Sequence, residues 1–191
     1  MLARYGCVVG CLLMGTAYAG AAPLQLYGKS VVVTWTENRV QTRRGSDVKE
    51  QVAISQSLSV YISSAGRLFS RREAVGRALG GGRRRAGGRS VYGSNEHVGS
   101  LGVTSSGGSS STRFQGQSLL FDAAFRSGAR RVEADFDAGY ASCTARVIHG
   151  RAGGSATTAY RTLTGVDIVV HSMEVSSPSC RIVDGNVFAG D

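Results

Sequence analysis

The chain has 191 residues, among them 27 glycines and only 2 prolines, and carries 22 Lys+Arg against 13 Asp+Glu for a formal net charge of +9. Glycine follows no triplet period, no heptad is sustained, and no internal apolar run approaches about 18 residues, which excludes a collagen, a coiled coil and a protein of several membrane-spanning helices. A small globular chain of one domain's length is left.

Residues 1–19 read as an address. A short N-terminal region with one charge, Arg4, leads into the apolar run from Gly6 to Gly15, and Ala17-Tyr18-Ala19 has the small-x-small form that a signal peptidase reads. A secretory signal cut after Ala19 is therefore expected, with the mature chain in the periplasm or outside the cell. The rival is a lipoprotein signal at Val8-Val9-Gly10-Cys11, but it would leave too short an apolar region before the cysteine. Cleavage would remove Cys7 and Cys11, so the mature protein would hold Cys143 and Cys180, for which one pairing exists. Neither lies in a C-x-x-C motif or near a histidine, so a structural disulfide is expected over a metal or redox pair.

From Leu24 to about Val75 the sequence alternates as strands do. Val31, Val33 and Trp35 share one face, and Val52, Ile54, Leu58, Val60 and Ile62 alternate with Ser55, Ser57, Ser59 and Tyr61. Arg43-Arg44-Gly45-Ser46-Asp47 is a polar connection, Ser63 to Arg67 a turn, and Arg71 to Val75 the start of a short helix that Gly76 would stop.

From Gly76 to Thr112 the alternation is lost. Eleven of these 37 residues are Gly and eight are Ser, with Arg77, Arg83, Arg84, Arg85 and Arg89 among them. Segments so poor in apolar surface do not fold alone, and a long disordered insertion is expected.

Strands resume after Arg113. Leu119, Phe121, Ala123 and Phe125 form one face; Ser127-Gly128 turns the chain into Val132, Ala134 and Phe136; Asp137-Ala138-Gly139 turns it again into Cys143, Ala145 and Val147. After a loose stretch from Gly150 to Ser155 come Val166, Ile168 and Val170, then Cys180 and Ile182. The fold class expected is all-β, an antiparallel barrel or sandwich of about seven to eight strands with 76–112 as an excursion.

Charge is unevenly placed. Residues 20–112 hold thirteen Lys+Arg and five acids, whereas 113–191 hold eight of each. Arg83, Arg84, Arg85 and Arg89 are the candidate anion-binding residues, because guanidinium forks match phosphate and carboxylate. Anionic lipid, lipopolysaccharide or acidic polysaccharide are the partners this suggests; nucleic acid is disfavoured because no aromatic rings interleave with these arginines.

Other motifs carry less. Asp135-x-Asp137-x-Gly139 begins like a calcium loop, yet Tyr140 and Arg146 occupy its sixth and twelfth positions, so Glu133, Asp135 and Asp137 read as the solvent face of a strand paired with Arg126, Arg130 or Arg146. His97, His149 and His171 have no metal-ligand spacing. Ser46-x-x-Lys49 lacks the other elements of the serine-lysine enzymes, and Gly82 to Arg89 departs from a phosphate loop. With no cofactor motif, the expected function is an exported, non-enzymatic binding or envelope-associated protein. A β-barrel carrying a small ligand and a hydrolase built on His149 or His171 are the alternatives.

Overall fold

The computed structural model describes residues 20–78, 85–93, 109–125, 128–149, 158–161 and 167–189. Apart from a 3₁₀ turn at Leu24–Leu26, its regular elements are strands: β1 (Lys29–Arg43), β2 (Glu50–Ile62), β3 (Leu68–Ala78), β4 (Arg85–Gly93), β5 (Ser109–Gln115), β6 (Ser118–Phe125), β7 (Gly128–Phe136), β8 (Cys143–His149), β9 (Thr158–Arg161) and β10 (Asp167–Asp184). They make two antiparallel sheets, one ordered β4-β3-β2-β1-β10-β9 and the other β5-β6-β7-β8. The all-β expectation holds in that form. A closed barrel does not, because each sheet keeps its own two edges.

The strands form where period-two patterning lets each sheet bury one face. Val31, Val33 and Trp35 of β1 stand opposite Val60, Leu58 and Gln56 of β2, and their inner face meets Phe114, Leu119, Phe121, Val132, Ala134 and Phe136 of the other sheet in one buried cluster. Cys143 at the start of β8 is bonded to Cys180 of β10 across a Cα–Cα distance of 5.5 Å. The expected disulfide is present, and it joins the two sheets.

Three local readings are corrected. Arg71 to Val75 is strand rather than helix: β3 pairs along its length with β2, and the cross-strand ladder overrides local propensity. The insertion expected over 76–112 is not wholly irregular, since 76–78 belong to β3, 85–93 pair with β3 as β4, and 109–112 belong to β5; the other residues of the segment lie outside those described. Pairing with an open strand edge satisfies backbone groups whatever the side chains are, which is how a Gly- and Arg-rich run becomes a strand. The apolar groups at Ile168–Val170 and Cys180–Ile182 belong to one strand, β10, which absorbs Ser177 and Pro178 as a bulge between the Thr34–Ser179 and Thr36–Ser176 pairs.

Candidate functional site

The outer face of the six-stranded sheet carries a shallow cleft of about 440 Å³ bordered by Thr34, Thr36, Ser55, Ser57, Glu73 and Ser177, with Trp35 and Gln56 also in its lining. Register assembles it. Thr34 lies opposite Ser57 and Thr36 opposite Ser55, while Ser57 lies opposite Glu73, so three adjacent strands contribute neighbouring side chains to one face. The fourth contribution comes from the β10 bulge, where Ser177 has a left-handed backbone (φ 52°). Bulges of this kind re-aim a side chain relative to the regular ladder.

Beside the cleft, Thr34 Oγ1 and Ser179 Oγ share a hydrogen bond of 2.8 Å, and Glu73 Oε1 lies 3.3 Å from Arg71 Nε. The Arg71 guanidinium is stacked over the Phe188 ring at 4.7 Å, as the chain after β10 folds back across this face. That return is tied down at Ser30, whose hydroxyl donates to Gly185 O at 2.7 Å and accepts from Val187 N at 3.2 Å.

The same strand segments are clamped from behind. Trp35 and Gln56 are buried on the inner face, and Glu37 is fully buried next to them. Trp35 Nε1 donates to Glu37 Oε1 at 3.1 Å, and Gln56 Nε2 and Arg39 Nη2 both donate to Glu37 Oε2, the former at 3.0 Å. Gln56 Oε1 in turn accepts from Arg72 Nε at 3.0 Å and Arg72 Nη2 at 2.8 Å. A buried carboxylate is tolerated only with such partners. The network links β1, β2 and β3 directly beneath the cleft.

Of the four candidate arginines, Arg83 and Arg84 lie outside the described residues. Arg85 and Arg89 are on β4, with backbone partners Arg77 and Glu73 of β3. Arg71, Glu73 and Arg77 thus occupy alternate positions of β3, with Arg89 opposite Glu73 and Arg85 opposite Arg77 at one end of the sheet order, whereas Arg72 is directed to Gln56.

Glu133 and Asp135 of the acidic stripe have the paired role expected of them. Arg146 reaches Glu133 at 3.2 Å and Asp135 at 3.1 Å, and Arg113 and Arg131 flank Asp122 at 2.5 and 2.6 Å. Burial opposes ionisation of Asp122, but hydrogen bonds and charge from Arg131 and Arg113 outweigh it and hold the carboxyl below its ordinary range. Asp137 caps the β7–β8 turn; its carboxyl is held low by the Ala141 N–H first, then by the Ser142 hydroxyl and neighbouring backbone N–H groups. Among the described residues no group of three His, Cys, Asp or Glu is placed to hold a metal ion. His171 Nε2 is 3.0 Å from Thr42 Oγ1, the His149 side chain and His97 lie outside the described residues, and Ser46 Oγ accepts from Val48 N in a turn.

Sequence reasoning missed both the cleft and the buried carboxylate. The inner-face series Val31, Val33, Trp35 continues at Glu37, Arg39 and Gln41, and a charge at a core-facing position was the available signal for the second. The chain matches no protein family, no curated protein and no solved structure.

Proposed function

We propose that this protein is an exported, non-catalytic binding module that contacts an anionic envelope surface through its β3–β4 edge. The carrying observation is the register of that hairpin, which places Arg71, Arg77, Arg85 and Arg89 at neighbouring positions around Glu73 at the end of a sheet. Guanidinium groups at fixed strand spacing meet phosphate or carboxylate with less ordering cost than the same groups in a loose loop. Export is supported by the Ala17-Tyr18-Ala19 pattern and by a disulfide between the sheets, which suits an oxidising compartment. Lipopolysaccharide, anionic lipid and acidic polysaccharide all present the required anions.

The alternatives draw less support. A ligand-carrying barrel needs interior space, whereas the region between these sheets is filled by side chains such as Phe114, Phe121 and Val33. A hydrolase needs its nucleophile and base beside a substrate cleft, and His171, 3.0 Å from Thr42 Oγ1, is not among the residues that border the cleft described above. Cosedimentation tests the proposal: the protein is expected to pellet with phosphatidylglycerol vesicles and to stay in solution with phosphatidylcholine vesicles. Equal partition between the two, or none, contradicts it.

A further inference from the structure

We infer that the outer-face cleft is a saccharide subsite and that the anionic ligand of this face is an acidic glycan, its sugar hydroxyls seated among Thr36, Ser55, Ser57 and Glu73 and its acid groups directed to the β3–β4 edge. This rests on the reading that the edge contacts anions and names which anion it takes.

Four observations carry it. The cleft is bordered by five hydroxyl side chains, each able to donate and to accept, with a carboxylate that accepts and Arg71 beside it that donates. That mixture complements sugar hydroxyls, which also do both. Trp35 and Gln56 complete the lining between these side chains. The volume of about 440 Å³ falls within the range of small-molecule sites. The floor is preorganised, because the buried Trp35–Glu37–Gln56–Arg72 network fixes the strands whose other faces present Thr34, Thr36, Ser55 and Ser57. Finally, Arg89 is the backbone partner of Glu73, so a sugar lying on Glu73 has the arginine-bearing strand as its next neighbour.

The test compares three probes, oligogalacturonate, neutral dextran and phosphatidylglycerol vesicles, for the wild-type protein and for a Thr36→Val, Ser57→Ala variant whose thermal unfolding is first matched to wild type. A Ser55→Ala variant is measured in parallel in case the double variant fails to fold. Wild type is expected to bind oligogalacturonate and not dextran, and the cleft variants to lose about tenfold or more in oligogalacturonate affinity while binding vesicles as before. Cleft variants that bind oligogalacturonate as wild type does overturn the inference, as does vesicle binding without oligogalacturonate binding; both results leave the anionic-surface reading standing. Equal binding of dextran overturns the acidic part of the claim. Failure to bind either anionic probe overturns the inference and the reading beneath it.

Discussion

Gln56 stands between two charges: its amide donates to Glu37 Oε2 at 3.0 Å, and its carbonyl accepts from Arg72 Nε at 3.0 Å. One neutral side chain on β2 thus couples an acid on β1 to a base on β3. Glu37 and Gln56 are buried, where water does not compete, and Arg72 reaches Gln56 from a partly buried position.

Breaking that chain at its acid is expected to be costly. Glu37→Ala would leave Arg39, whose side chain is 10% exposed, without its carboxylate, and losing one partner of a buried pair costs about 3–5 kcal/mol. Urea unfolding should show a lower midpoint at an unchanged m value, and Glu37→Gln should fall between Glu37→Ala and wild type.

The disulfide sets a second expectation. Cys143 and Cys180 are separated by 37 positions and join separate sheets, so Cys180→Ser should destabilise the protein by about 3–4 kcal/mol on the chain-entropy account. Denaturant unfolding with and without reductant checks this: reductant should lower the wild-type midpoint toward that of the variant and leave the variant unmoved.

A third expectation concerns the turn before β3. Gly66 has φ +75°, and a Cβ there would collide with Tyr27 Oη and fall 2.8 Å from Tyr27 Cζ. Tyr27 packs against the core cluster, so the ring is not free to swing away without loss. Gly66→Ala should lower stability by about 1–3 kcal/mol, visible as a fall in Tm, whereas Gly45→Ala, with similar backbone but open space, should cost less.

Acid should loosen the second sheet. Asp122 and Asp137 both have folded-state pKa values below the ordinary one, so the stability they contribute is fully present above the unfolded value and is lost as pH falls through the lower, folded value. The loss is therefore confined to below about pH 4. Replacing Asp122 with Asn should flatten the acid limb of a stability-against-pH curve; an unchanged limb would contradict the pairing with Arg113 and Arg131.

The parts of the fold legible in the sequence were those written in apolar alternation. Val31-Val33-Trp35 and Val132-Ala134-Phe136 mark core faces because burial selects every second residue. β4 was not legible, since its Arg-, Gly- and Ser-rich residues carry no strand signal and it forms through backbone pairing to β3. β10 read as two pieces because Ser176-Ser177-Pro178 interrupts the pattern where the bulge takes up extra residues. The cleft was invisible for a related reason. Serine and threonine between apolar residues look like any solvent face, and only the register across β1, β2, β3 and β10 gathers them into one site.

The central claim is that arginines of the β3–β4 edge hold an anionic surface. It is tested most directly by titrating the purified protein with phosphatidylglycerol vesicles across a salt series, beside a variant with Arg77, Arg85 and Arg89 changed to Ser. Affinity is predicted to fall steeply with salt in the wild type, through screening and release of counterions, and to be weak and nearly salt-independent in the variant. The same affinity and the same salt dependence in both proteins would contradict the account.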